Sequence, residues 1–113
     1  MVYVLPYPQR VDTMNIARRV LILPLSITTI TAGDISPDGN EIIIKNYTNV
    51  YHWRRLAGEP VWHAMLEAPT NIPYIPEYKG EGMCFLANGD RFICCGEYKD
   101  GPKSATMYQY VRR

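Results

Sequence analysis

Short apolar runs, each closed by Pro, Gly, Asn or Asp, dominate the pattern of this chain and predict strands rather than helices. The run Glu41-Ile42-Ile43-Ile44-Lys45 is apolar at successive positions, which predicts a strand covered on both faces. Downstream the pattern alternates. Val50, His52 and Arg54 fall on one side and Tyr51, Trp53 and Arg55 on the other, which predicts a more exposed strand. Pro37-Asp38-Gly39 and Asn88-Gly89 supply residues that tolerate positive φ and predict two-residue hairpin turns. Glu59-Pro60 predicts a helix start, with Val61, Met65, Trp62 and Leu66 as its apolar face and Pro69 as its end. Asn71 to Ile75 predicts a short edge strand, because Pro73 has no amide hydrogen to give to a ladder.

Two segments repeat one another. Gly33 to Arg55 and Met83 to Arg113 each hold an apolar strand, a tight turn, a second apolar strand and a third strand built on Tyr. Their turn glycines, Gly39 and Gly89, are 50 residues apart, and an all-strand unit of that period points to the blades of a β-propeller. The expected fold class is therefore mainly all-β: about two propeller blades plus a leftover strand, with one short helix between the blades. The chain 1–113 reads as a single propeller fragment, with one blade at about 19–76 and the next at about 77–113. Residues 1–10, with Val2 to Pro6, read as the end of a preceding blade, and Arg19 to Pro24 as a fourth, outer strand. Closed propellers need four to eight blades. A blade face left wet, such as the one carrying Ile42 and Ile44, forfeits roughly 5–10 kcal/mol for a few hundred Å2, comparable with the stability of a whole domain. The chain is thus not expected to stand alone as a monomer. Its expected partners are further blades of the same propeller or other proteins.

Composition narrows the function classes. Apolar residues make up 47% and charged residues 20%, a globular balance. A net charge of +1 speaks against a nucleic-acid binder, which would carry a basic stripe. No run of 18 apolar residues predicts a membrane span. The opening MVYVLPYPQR lacks the basic and apolar regions of a signal peptide, so in a secreted protein the signal would lie upstream or export would use another route.

The ordered series Thr31-Ala32-Gly33-Asp34-Ile35-Ser36-Pro37-Asp38-Gly39, Lys45-Asn46-Tyr47, Tyr51-His52-Trp53, Lys79-Gly80-Glu81-Gly82-Met83 and Gly96-Glu97 resembles the C-terminal blades of a group of uncharacterised, often secreted β-propeller proteins. Their signature runs T-A-x-D-I-S-P-D-G, then R-T-Y, Y-x-W, Q-G-E and S-E. The resemblance spans about residues 20–112. It implies a propeller, more blades upstream and an extracellular setting, and it implies no established reaction. Lys45, Asn46 and Lys79 depart from the usual Arg, Thr and Gln.

Strand starts near a propeller axis gather side chains from several blades. The candidate axial ligand-binding residues are Asp34, Lys45, Tyr47, Glu81 and Glu97. Asp34 and Glu81 are candidate Ca2+ ligands, although Ca2+ takes six to eight oxygens and other groups would have to complete the shell. The competing reading has Asp34 and Glu81 pairing with Lys45 or accepting from backbone amides. No other cofactor is expected. No nucleophile elbow, zinc-protease motif or phosphate loop is present, and His52 and His63 read as surface or packing residues. Cys84, Cys94 and Cys95 read first as small buried apolar residues; the alternative is a cross-strand disulfide from Cys84 to Cys94 or Cys95, which lie on adjacent strands of one hairpin. Asn46-Tyr47-Thr48 is a glycan acceptor triplet, with Asn46 the attachment point in a secreted eukaryotic chain. Together these features favour a non-catalytic structural or interaction protein in an extracellular assembly. The alternatives are a Ca2+-dependent hydrolase of the phytase or lactonase type and a propeller that captures glycans or other ligands without turnover.

Overall fold

The computed structural model describes residues 1–98 and 105–111. They fold as three small antiparallel sheets. The first pairs β1 (Val2–Val4) with β2 (Arg18–Leu21). The second has four strands in sequential order: β3 (Ala32–Ile35), β4 (Glu41–Lys45), β5 (Val50–Arg54) and β6 (Thr70–Ile72). The third runs β7 (Gly82–Phe85), β8 (Arg91–Cys95) and β9 (Met107–Val111). The strand foreseen at 19–24 thus pairs with β1, and the outer strand of the second sheet is β6. The expectation that the last strand continues to Arg113 reaches outside the described residues. No helix among those residues is long and apolar enough to cross a membrane.

The 50-residue repeat holds residue for residue in the hairpins. Ile35 faces Ile42 and Asp34 faces Ile43, while Phe85 faces Phe92 and Cys84 faces Ile93. The turns match as well. Ser36 N donates to Glu41 O at 2.9 Å and Gly39 N to Ser36 O at 2.8 Å; Leu86 N donates to Arg91 O and Gly89 N to Leu86 O at the same two distances. These are four-residue loops, not two-residue ones. Only their third residue, Gly39 or Gly89, has positive φ, at 74° and 72°, whereas a two-residue type I′ turn needs positive φ at both central positions. In the first loop Ser36 Oγ accepts from Glu41 N, and Asp38 accepts from Asn40 N, so the polar side chains satisfy the turn's amides.

Side-chain direction alternates along each strand, so the two faces of the second sheet serve different neighbours. One face sends Ile42, Tyr51 and Trp53 into a core shared with Ala64, Met65 and Ile27, against which Val2 and Leu21 of the first sheet pack. The other sends Ile43 and Val50 against Phe92 and Cys94 of the third sheet. The second sheet is therefore the middle layer of three. This placement overturns the reading of β5 as a more exposed strand: Val50, Tyr51 and Trp53 are all buried, because β5 lies between β4 and β6 with cores on both faces. The helix is also shorter than foreseen. It spans only Val61–Ala64, with Pro60 as N-cap; Met65 is buried, and Leu66 is exposed. Trp53 Nε1 donates to Glu67 O at 2.9 Å and thereby takes up a carbonyl just past the helix.

Candidate functional site

β4 ends at Lys45 and β8 at Cys95, and the connection from β6 to β7 passes across those strand ends. It carries Tyr74, Glu77, Lys79, Gly80 and Glu81. Lys45 and Glu77 have side chains 0% exposed, and Lys45 Nζ lies 2.8 Å from Glu77 Oε2. The Tyr74 hydroxyl donates to the same carboxylate oxygen, and the Lys45 ammonium sits 5.0 Å above the Tyr74 ring. Burial, followed by the hydrogen bond to Glu77, pushes the Tyr74 hydroxyl well above its ordinary pKa. Glu77 Oε1 is buried without a hydrogen-bond partner among the described residues.

Glycine at position 80 is a condition of this packing. A Cβ there would collide with Glu77 Oε2 and stand 2.6 Å from Lys45 Nζ. The segment is held from the other side by Thr31, whose hydroxyl donates to Gly80 O at 3.0 Å while its amide donates to Lys45 O at 2.9 Å. Tyr78 O accepts from Glu97 N at 2.9 Å.

Around this closed pair lies an exposed group. Tyr47 donates its hydroxyl to Glu81 Oε1 at 2.6 Å, and that bond raises its pKa. Lys79 Nζ pairs with Glu97 Oε2 at 3.1 Å, which raises the lysine's pKa. Four of the five candidate residues, Lys45, Tyr47, Glu81 and Glu97, thus belong to this end of the molecule. Asp34 is engaged elsewhere, between the second and third sheets. Its Oδ1 accepts from Ile35 N and its Oδ2 from Phe85 N, both at 2.8 Å, so it ties β3 to β7. Asp34 takes the amide-accepting role, while Lys45 pairs with Glu77 and not with Asp34 or Glu81.

Asp34 and Glu81 are held by different partners, so a Ca2+ ion on both would have to displace those bonds. No group of three or more His, Cys, Asp or Glu side chains able to hold a metal ion gathers among the described residues. His52 Nε2 lies 3.5 Å from Glu41 Oε1, and His63 pairs with Glu59 one helical turn away.

Cys84, Cys94 and Cys95 are free thiols, and no disulfide joins Cys84 to Cys94 or Cys95. The register explains why. Cys94 faces Met83, so it points to the opposite side of the sheet from Cys84. Cys95 shares a side with Cys84 but is only its diagonal neighbour, a separation too wide for an S–S bond. Cys95 instead packs its sulfur against Gly82, where no Cβ would fit. The small-apolar reading holds for Cys94, fully buried, whose thiol burial pushes up to about 12; Cys84 is exposed. A thiol so protonated is inert as a nucleophile.

Asn46 has a structural task. Its Oδ1 accepts from Thr48 N at 3.0 Å and Asn49 N at 2.7 Å and shapes the β4–β5 turn, while Nδ2, the atom a glycan would take, reaches Tyr51 Oη at 3.4 Å.

Sequence reasoning missed Glu77, Tyr74 and the roles of Thr31 and Gly80. Glu77 is 32 residues from Lys45, in a connection with no periodic pattern. The available signal was Lys45 itself, a charge ending a strand read as covered on both faces, which demands a buried counter-charge. No protein-family model matches the chain, and neither the curated proteins nor the solved structures contain a significant match.

Proposed function

We propose that the chain is a non-catalytic structural or interaction segment of a β-propeller-type stack, completed by further sheets from the same protein or from partners. The observation that carries this reading is the repetition of facing. At equivalent positions 50 apart, Ile42 and Phe92 look toward the preceding sheet. Ile43 looks toward the following sheet, and its equivalent, Ile93, lies on the side of the third sheet away from the second. A unit that presents the same two faces each time calls for a neighbour at each end of the series. Apolar side chains at both ends fit that need: Tyr3 is 52% exposed on the first sheet and Met107 64% exposed on the third. The buried Lys45–Glu77 pair and the Asp34 bond to Phe85 hold adjacent sheets in register, which is the task of a scaffold. The extracellular setting is part of the proposal on the strength of the sequence resemblance alone.

Size-exclusion chromatography with light scattering tests it on the full chain. Expected is a mass above that of the 13.0 kDa chain. A dye-silent 13.0 kDa monomer with one sharp unfolding transition overturns it.

A further inference from the structure

The third sheet stops one strand short of the second. Its order β7–β8–β9 matches β3–β4–β5, and no strand among the described residues stands where β6 would follow. The first sheet holds the matching surplus. β2 leads into β3 through ten residues as β6 leads into β7 through nine, so β2 is the equivalent of β6. Its present partner, β1, is three residues long and breaks register between Val2 and Tyr3.

The faces match as well. The side of the third sheet away from the second carries Ile93, Cys95 and Met107, the equivalents of Ile43, Lys45 and Val50. On the second sheet those three positions are 0% exposed, covered by the third; on the third sheet Met107 is 64% exposed. Across the existing junction Lys45 meets Glu77 and Tyr74. Five and eight residues before β7, these two correspond to Ile27 and Pro24 before β3. The buried polar network of Lys45, Glu77 and Tyr74 thus becomes Cys95, Ile27 and Pro24. Both sides lose their charge together, so the outer face of the third sheet needs no counter-charge and the Ile27 side brings none.

We propose that the third sheet of one copy of this chain packs on the second sheet of another copy, head to tail, with β2 of that other copy as its fourth strand. β9 then takes the edge of β2 that β1 holds in a single copy. The contact repeats the junction of second and third sheets one period on. At that junction Asp34 Oδ2 accepts from Phe85 N at 2.8 Å, so Cys84 of one copy meets Ile35 of the next. Both are exposed in the single chain, Ile35 by 41%. Asp34 stays half-buried at the existing junction, so Cys84 remains open to reagents in the assembly. Unlike surfaces are joined, so the contact propagates and either closes as a ring or runs on as an open chain. This contact rests on the stacked-sheet reading and gives the neighbour an identity, a second copy.

Cysteine cross-linking of the full chain is the test. Ile35→Cys, treated with a short-armed bismaleimide, should form dimers and higher multimers through Cys84 of the next copy. A preformed contact presents the two thiols at a high effective concentration, so the yield should be about fivefold or more above a Val11→Cys control. Val11 is 103% exposed on the β1–β2 loop, away from the contact. Adding Cys84→Ser to Ile35→Cys should bring the yield down to the control. Adding Ile93→Asp instead should do the same and leave the unfolding transition of Trp53 intact, since Ile93 belongs to neither core of the chain. Multimers no more abundant than the control, or multimers that persist with Cys84→Ser or Ile93→Asp, overturn the proposal. A mass above 13.0 kDa without these cross-links removes the head-to-tail contact and leaves the stacked-sheet reading standing; a 13.0 kDa monomer removes both.

Discussion

Replacing Lys45 by Met removes one charge from a pair whose two side chains are 0% exposed, and nearly preserves side-chain length. Glu77 is then left buried as an anion, with only the Tyr74 hydroxyl donating to it. Removing one member of a buried pair costs about 3–5 kcal/mol, because the stranded charge keeps its full desolvation penalty. Against a domain stability of roughly 5–15 kcal/mol, this is about a fifth or more of the total. With a urea slope of roughly 1.5–2 kcal/mol per M for a chain of this size, the midpoint should fall by about 2 M. The buried Trp53 gives a fluorescence signal for the transition. Deleting the whole network should behave differently. Lys45→Met, Glu77→Leu and Tyr74→Phe together leave no charge or hydroxyl unpaired, so the triple variant should lie within about 2 kcal/mol of the wild type. A single variant costing under about 1 kcal/mol, or a triple variant costing as much as the single costs added together, would refute the reasoning that burial of an unpaired charge governs this site.

Asp34→Ala strands the Phe85 amide at the junction of β3 and β7 and should cost about 1–3 kcal/mol, read as a lower melting temperature and faster hydrogen exchange at that amide. Gly80→Ala drives a methyl group into Glu77 and Lys45 and should destabilise the chain, an effect that vanishes in the background lacking all three polar groups if the collision is with that pair. Cys94 gives a pH dependence of known sign. Its folded pKa of about 12 is raised from an ordinary 9.0, so its contribution is intact below about pH 9 and is lost as pH rises toward 12, where the unfolded chain ionises and the folded one resists. Urea midpoints of wild type and Cys94→Ala across that window should therefore fall with different slopes, the wild type more steeply, so that the gap between them narrows; parallel curves would remove the argument. At neutral pH a thiol reagent should label Cys84 quickly and Cys94 only on unfolding.

The parts of this protein written in its sequence are those decided by neighbours along the chain. Two glycines 50 residues apart mark equivalent turns because only a residue without Cβ takes φ near +70° cheaply, and the triple isoleucine of β4 announced a strand with two covered faces. Pro73, just past β6, was compatible only with an edge. What the sequence could not state is which surfaces meet. The alternation of β5 described a strand with one wet face, and Tyr51, Trp53 and Val50 are all buried because a sheet arrives on each side. Lys45 announced that a counter-charge was needed but not that it would be Glu77, from a connection whose path is set by Gly80, Thr31 and Tyr78. Likewise the cysteines were near enough in sequence to bridge, and the pairing register put Cys94 on the far face from Cys84. Short-range sterics and periodicity act within a few residues and leave a local signature. Packing between sheets selects among many partners of similar chemistry, and only the assembled backbone holds that choice.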